Sequence, residues 1–324
     1  MNKKYNVAIV GATGLIGRKF IEVLERRNFP VGEIRLLATP KSEGKILTAF
    51  GKNITVERLN ENSFDGIDVA FFSAGKEVSL KYAPIAKQRG AVVIDNSSAF
   101  RQNKEIPLIV PEINGYLLKN YKGKIVANPN CSTAIATLPL KKLHDLFGLK
   151  RVIYTTFQAV SGSGNKGIED LENCRNGFSP TFYPADISKN TIPLIGSFRE
   201  FGYTEEELKM VNETKKIFEK DIYVSATCVR VPIKNCHAIS VDAEFENEFF
   251  DEDIKDILKN TSGVRFCDLP LQSLADNDSE VLVGRIKRSL AFKNGLSFYC
   301  VGDNTLKGAA LNAVQIAEIL LNIK

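Results

Sequence analysis

Tyr5-Asn6-Val7-Ala8-Ile9-Val10-Gly11-Ala12-Thr13-Gly14-Leu15-Ile16-Gly17 decides the fold. Its first six residues, apolar but for Asn6, have the character of a strand buried on both faces. Three glycines follow at once as G-x-x-G-x-x-G, and Ile16, Phe20, Val23 and Leu24 then keep helical spacing. Gly11 permits the tight turn and Gly14 lets backbone approach a pyrophosphate at the helix N-terminus. Gly17 allows helix and strand to pack closely. Strand, glycine loop and helix in this order predict a nucleotide-binding unit.

Downstream, Ile34–Ala38 reads as a second strand. An NAD preference would place Asp or Glu at its end, about 20 residues past the glycines. The chain instead has Thr39-Pro40-Lys41-Ser42-Glu43-Gly44-Lys45, whose hydroxyls and ammonium groups suit a 2′-phosphate, so NADP(H) is the expected cofactor. Strands at Val69–Phe72 and Ala91–Ile94, with a helix from about Glu77 to Arg89 between them, extend the alternation. It is that of a Rossmann-type, doubly wound parallel α/β sheet. Asp95-Asn96-Ser97-Ser98-Ala99-Phe100-Arg101 falls at a strand's carboxyl end, where ligands gather in such sheets, and Arg101 is a candidate for an anion there.

The whole chain sets limits on function. Its 324 residues suffice for two domains, and a net charge of +5 without a basic block argues against nucleic acid or membrane as partner. No apolar run approaches the roughly 20 residues of a membrane span. The start, Met1-Asn2-Lys3-Lys4, is broken too soon by Gly11 for a signal peptide. Six cysteines (131, 174, 228, 236, 267, 300) form no C-x-x-C pair, which fits free thiols in a reducing cytoplasm. With only His144 and His237, a histidine-rich metal site is excluded, and no metal is expected. His144, among Lys141, Lys142 and Asp145, reads as surface helix.

Near the middle lies Ala127-Asn128-Pro129-Asn130-Cys131-Ser132-Thr133, between a strand (Lys124–Ala127) and a helical run reaching Phe147. Asn130 would be the N-cap, placing Cys131 in the first turn, where free N–H groups and the helix dipole favour a thiolate. A small buried filler is the other use of a cysteine here.

Beyond it, longer antiparallel-looking strands are expected at Arg151–Val160, Ile222–Val231, His237–Glu246, Glu280–Ser289 and Leu296–Val301, with helices at about Thr204–Phe218 and Asp251–Asn260. They predict a second, α+β domain on a mixed sheet. A last amphipathic helix, Thr305–Leu321, would pack back on the first domain.

Three features there bear on chemistry. Gln158-Ala159-Val160-Ser161-Gly162-Ser163-Gly164 is a glycine-rich loop at a strand end, either a ligand loop or a plain turn. Glu206, Lys209 and Glu213 share a helix face at i, i+3, i+7, which favours a solvated ion-pair stripe over a substrate clamp. If residues 232–235 form a hairpin loop, Arg230 opposes His237 at about 5 Å, a pair that expects an anion.

These motifs occur together in one family. The glycine loop, Asn128-Pro129-Asn130-Cys131-Ser132-Thr133, Gln158–Gly162, Lys209-Met210-Val211-Asn212-Glu213-Thr214, Arg230-Val231-Pro232 and Asp303-Asn304-Thr305-Leu306-Lys307-Gly308-Ala309-Ala310 follow in the expected order. Over essentially its whole length the chain resembles the aspartate-semialdehyde dehydrogenases. The related N-acetyl-γ-glutamyl-phosphate reductases usually carry a P-G-C-Y variant at the cysteine.

The resemblance implies NADPH-dependent reductive dephosphorylation of L-aspartyl 4-phosphate to aspartate 4-semialdehyde through a cysteine thioester, serving lysine, threonine and methionine synthesis. It implies a homodimer or homotetramer, and a glyceraldehyde-3-phosphate-dehydrogenase-like second domain at 131–302, with 1–130 and 303–324 forming the first. Carried over, Cys131 is the nucleophile, His237 the acid/base and Gln158 a positioning group. Arg230 holds the α-carboxylate, Glu206 (or Glu207, if the match slips one place) meets the amino group, and Arg101 and Lys209 hold phosphate, with Asn130 beside the substrate. The cofactor would touch Gly11, Thr13, Gly14, Leu15, Ile16, Thr39, Lys41, Ser42, Ser161, Gly162 and Asn304.

Two departures stand out. The family usually has Gly before the histidine and Ser-Glu after it, where this chain has Cys236 and Ala238-Ile239. An I-P-x-I-D motif is here Ile192-Pro193-Leu194-Ile195-Gly196. The alternatives are the acetylglutamyl-phosphate reductase and a silent NADP-binding sensor; retention of Cys131, Gln158, Arg230 and His237 weighs against the sensor.

Overall fold

The computed structural model describes residues 3–323; Met1 and Asn2, with which the signal-peptide argument began, and Lys324 lie outside it. The chain divides into two compact units, one running to Pro129 and resuming at Ala309, the other Asn130–Gly308.

The first unit is the expected doubly wound sheet. Its strands are β1 (Tyr5–Val10), followed by helix α1 (Leu15–Arg26), β2 (Val31–Ala38), the hairpin β3 (Ile46–Ala49) and β4 (Lys52–Thr55), β5 (Glu57–Arg58) and β6 (Val69–Phe72). Helix α2 (Lys76–Gln88), β7 (Val92–Asp95), the short α3 (Pro111–Asn114) and β8 (Ile125–Ala127) complete it. The six-stranded sheet runs β5-β2-β1-β6-β7-β8, every pair parallel. Val7, Ile9, Val69, Phe71 and Phe72 are completely buried, as the near-continuous apolar strands require.

The glycines serve the packing. Gly11 sits at φ +87°, and a Cβ on Gly17 would fall 2.2 Å from the Gly11 carbonyl oxygen, so helix and loop touch backbone to backbone.

The second unit contains α4 (Cys131–Thr137), α5 (Leu140–Phe147), β9 (Leu149–Gln158), α6 (Asn165–Arg175), α7 (Glu205–Phe218), β10 (Tyr223–Arg230), β11 (His237–Phe245), α8 (Asp251–Lys259), β12 (Val264–Phe266), α9 (Gln272–Ala275), β13 (Val281–Arg288) and β14 (Gly295–Gly302). The sheet order is β10-β9-β11-β14-β13-β12, mixed in direction. The helical run after Cys131 divides in two, with Pro139 as the N-cap residue of α5. The last helix opens with a π-turn at Leu306–Ala310 before α10 (Leu311–Leu321). Within the first unit, α10 is tied to Arg27 by a two-point ion pair through Glu318, at 2.6 and 2.7 Å.

One expectation fails. Residues 232–235 do not join β10 and β11 as a hairpin, because β9 lies between those strands. It pairs parallel with β10, Arg230 beside Gln158, and antiparallel with β11. The backbone amides of Val160 and Ser161 take the carbonyls of Ile233 and Lys234, so the connection crosses under the glycine-rich loop instead.

The Gly17 contact leaves no room for a methyl group. Gly17→Ala is expected to cost about 1–3 kcal/mol in urea unfolding, the range for overpacking a filled site, and to weaken NADPH binding by fluorescence titration.

Candidate active site

Three of the candidate site residues lie at one end of three adjacent strands of the second unit. Arg230 ends β10, Gln158 ends β9 and His237 begins β11, and all three side chains are buried. Arg230 is fixed on its outer side by Ile192, in the Ile-Pro-Leu-Ile-Gly departure: the two exchange both backbone hydrogen bonds, at 2.8 and 2.9 Å. A turn later in that stretch, the Ile195 carbonyl accepts the Glu206 N–H.

Cys131 opens α4. Asn130 caps the helix as expected, its Oδ1 accepting the N–H groups of Ser132 and Thr133 at 3.0 and 3.3 Å. Its Nδ2 donates to Glu206 Oε1 at 2.8 Å, Gln158 Nε2 reaches the same oxygen at 3.1 Å, and Lys209 Nζ lies 3.4 Å from Oε2. The face shared by Glu206, Lys209 and Glu213 is therefore not a solvated stripe: both acids are buried, and Lys209 is the most exposed of the three. Burial works against the Glu206 charge, but Lys209, Asn130, Gln158 and Arg230 outweigh it and hold the carboxyl below the usual range. Glu207 is committed elsewhere. It closes the capping box with Thr204 and accepts the Cys228 N–H.

The His237 ring accepts the Ala159 N–H on Nδ1 at 3.0 Å, so the neutral ring carries its proton on Nε2. Burial first, then Arg230, pushes its pKa down to about 3 against an opposing pull from Glu206. The ring is uncharged at neutral pH. Arg230 Nη1 donates to the Ala159 carbonyl at 2.6 Å, while its Nε is a buried donor that no protein group meets. A Cβ on Gly162 would lie 2.7 Å from Arg230 Nη1 and 3.1 Å from His237 Cε1, so only a glycine lets that loop pass over the pair. Ser161 Oγ and Asn304 exchange hydrogen bonds, and Asn304 Oδ1 accepts the Cys236 N–H immediately before His237.

Cys236 explains one departure from the family pattern. Its φ is +71°, the left-handed region that favours glycine, yet its side chain is fully buried among Ala238, Ala275, Leu282 and Val301. Burial and the nearby carboxylates of Asp303, Asp276 and Asp278 push that thiol up. Burial likewise raises Cys174, Cys228 and Cys300. These four are held as thiols, and Cys131 stands half-buried at a capped helix N-terminus. His144 is half-buried rather than a surface residue, with Nδ1 accepting the Leu149 N–H.

Two contributors were not among the expected site residues. Gly308 backs directly onto the candidate nucleophile: a Cβ there would stand 2.9 Å from Cys131 Cβ. Glu213 accepts the Asn130 N–H at 2.6 Å. Gly308 belongs to the quoted Asp303–Ala310 motif, so its position was available, but only the fold shows what it faces.

In the first unit the expected cofactor residues stand at the carboxyl ends of β1 and β2. Gly14 is the N-cap residue of α1, with no side chain bonded over the first turn and no acid in it. Thr13 Oγ1 donates to Ser42 Oγ at 3.3 Å, joining the glycine loop to the Thr39-Pro40-Lys41-Ser42 turn at the end of β2. These groups fit a dinucleotide phosphate. Arg101 is buried in this unit, with Nε and Nη2 held by the carbonyls of Asn128 and Asn96 at 2.8 and 2.9 Å.

Comparison with known proteins agrees with this division. Residues 6–121 match the NAD binding domain of semialdehyde dehydrogenases, and residues 140–307 match their dimerisation domain. The chain is 50% identical to the aspartate-semialdehyde dehydrogenase of Aquifex aeolicus over 98% of each chain. The crystal structure of aspartate semialdehyde dehydrogenase II from Vibrio cholerae, complexed with ASA, superposes with a TM-score of 0.96 at 42% identity, covering 99% of each chain. That of the Candida albicans aspartate semialdehyde dehydrogenase with NADP gives 0.81 at 26% identity, over 99% of this chain and 100% of that one.

The strained thiol yields a comparison of two variants. Cys236→Ala loses the buried sulfur and keeps the left-handed backbone, whereas Cys236→Gly relieves it. The glycine variant is expected to be the more stable of the two by about 1 kcal/mol in chemical denaturation, the order of the left-handed penalty for a residue with a Cβ.

Proposed function

The chain belongs to the aspartate-semialdehyde dehydrogenase family, and on that premise we propose that it converts L-aspartyl 4-phosphate to L-aspartate 4-semialdehyde with NADPH, releasing phosphate. The observation that carries the substrate assignment is the buried Arg230 Nε, a charged donor without a protein acceptor beside the Glu206 carboxylate. A cation and an anion in one buried site complement the carboxylate and ammonium groups of an amino acid.

In this mechanism Arg230 takes the α-carboxylate and Glu206 the α-ammonium, which leaves the 4-acyl group for Cys131. The thiolate attacks the acyl carbon; the C–S bond forms, the carbon–oxygen bond to phosphate breaks, and phosphate leaves from a thioester. Lys209 and Arg101 are the cations proposed for phosphate. Gly11, Thr13, Gly14, Leu15, Ile16, Thr39, Lys41, Ser42, Ser161, Gly162 and Asn304 would hold NADPH, which would supply the hydride for the thioester carbon; cleavage of the C–S bond would then release the semialdehyde and return the Cys131 thiolate. His237 enters this step as a neutral ring. Its Nε2–H is directed to the oxygen on which charge develops, and the Ala159 N–H on Nδ1 opposes a second proton. Gln158 Nε2 donates to Glu206 Oε1 at 3.1 Å and holds that carboxylate in register. The Gly162 loop over the pair keeps water from the thioester.

The proposed assembly is a homodimer through the open face of the second sheet, with a homotetramer as the larger form. Ile153 and Tyr223 are exposed there, and Phe157, Val229 and Tyr299 half-exposed, on strands whose other face is buried. Among the described residues no helix is long and apolar enough to cross a membrane. A reducing cytoplasm, which suits the six free cysteines, is the proposed setting.

Cys131→Ala is expected to abolish phosphate-dependent NADP reduction by aspartate semialdehyde while leaving NADPH binding intact; undiminished turnover would overturn the mechanism. Assaying N-acetylglutamate semialdehyde alongside separates the related reductase.

The folded His237 pKa lies below its unfolded value, so its contribution to stability is complete above about pH 6.5. It is lost as pH falls toward about 3. Urea midpoints are expected to drop more steeply on acidification in the wild type than in His237→Asn, and kcat/KM is expected to show no His237 limb near pH 6.5.

A further inference from the structure

Asn130 is the last residue before the nucleophile, and its hydrogen bonds are made at three points. Its Oδ1 is occupied by the first-turn N–H groups and its Nδ2 by Glu206. Its backbone N–H lies outside the helical ladder, as at any N-cap, and must find an acceptor elsewhere. It finds Glu213 Oε2, at 2.6 Å, on the same helix as Glu206 and seven residues further on.

We propose that Glu213 is a positioning residue for the nucleophile: by accepting the Asn130 N–H it fixes the direction in which the Cys131 thiol leaves the first turn of α4. A single bond from α7 to Asn130 would leave the cap free to rotate about that bond. Two carboxylates, separated by about 10 Å along a helix axis, grip the residue at its main chain and at its side-chain amide and remove that rotation. Since Asn130 Oδ1 sets the first-turn amides, the orientation of α7 passes directly to Cys131. Gly308 closes the opposite side, where its main chain leaves no space behind Cys131 Cβ.

A carboxylate suits this task better than a neutral acceptor. The bond it accepts is charge-assisted, hence shorter and stiffer, and Glu213 is completely buried, where water does not compete for the N–H. Burial pushes the pKa of Lys216, one turn further along α7, below its usual value, and the Glu213 carboxylate only partly opposes that. A buried charge is weak evidence for stability. What distinguishes this one is the atom it holds.

The proposal rests on Cys131 being the nucleophile, and the test separates the two claims. Alkylation of Cys131 by iodoacetamide, followed by peptide mass spectrometry, reports thiol presentation without turnover; if full alkylation of Cys131 leaves activity intact, it is the nucleophile assignment that fails. Glu213→Ala is expected to lower kcat about 10- to 100-fold, the effect of a misplaced reacting group. KM for the semialdehyde should stay near the wild-type value because Arg230, Glu206 and Lys209 are untouched, and the rate of Cys131 alkylation should change. Glu213→Gln keeps an oxygen acceptor at the same reach and is expected to recover most of kcat and the wild-type alkylation rate.

Unchanged kcat in Glu213→Ala would overturn the proposal. So would equal losses in the alanine and glutamine variants with wild-type alkylation in both, since that pattern marks bulk structure. If Glu213→Ala does not fold, Glu213→Asp, one methylene shorter, replaces it: lowered kcat with KM held supports the role, and wild-type kinetics overturn it.

Discussion

The second unit is built around one carboxylate that is almost wholly withdrawn from water. Glu206 lies buried on α7, and a buried charge without partners would cost several kcal/mol. Asn130, Gln158 and Lys209 meet it directly, and Arg230 adds its field. These four residues come from the cap of α4, the end of β9, the same helix and the end of β10. Satisfying one charge thus brings together four separate segments, and the turn bearing Cys131 is among them. Asking where the Glu206 charge is neutralised is the same as asking where the proposed substrate site lies.

The strand ends supply what the helix does not. Parallel pairing of β9 with β10 puts Gln158 level with Arg230, and antiparallel pairing with β11 puts His237 just beyond. The Ala159 peptide then serves both neighbours, giving its N–H to His237 and its carbonyl to Arg230. This one peptide fixes the tautomer of the imidazole and aims the guanidinium. Glycine is required where backbone passes close to these groups, at 162 over Arg230 and His237 and at 308 behind Cys131. At both places the constraint is volume and not conformation, since neither residue has a positive φ.

What could be read from the sequence was local. The strand, glycine loop and helix at 5–24 and the capped turn at Asn130 are short-range patterns whose physics is complete within a few residues. The failures were those of neighbourhood. Arg230 and His237 are close in sequence and looked like a hairpin pair, but a strand from much earlier in the chain lies between theirs. An acid–base–acid face on α7 has the period of a solvated stripe, and nothing in that period says that a capped turn lies on top of it. Cys236 carried a signal of another kind: a cysteine in a glycine position marks left-handed backbone, which the fold then displays.

The parallel pairing of β9 with β10 also bears on how the protein comes to life. Parallel strands cannot be joined by a tight turn, and here the chain between them contains α6, a long irregular segment and α7. The contacts of Gln158 with Glu206, of Asn130 with Glu213 and of Cys131 with Gly308 all close large loops, the kind that form slowly because chain entropy must be surrendered first. A partly folded second unit holds its helices and hairpins without holding a binding site. Assembly of the candidate site is therefore a property of the finished unit, because the Gly308 main chain packs behind Cys131 only once the long stretch between them is in place.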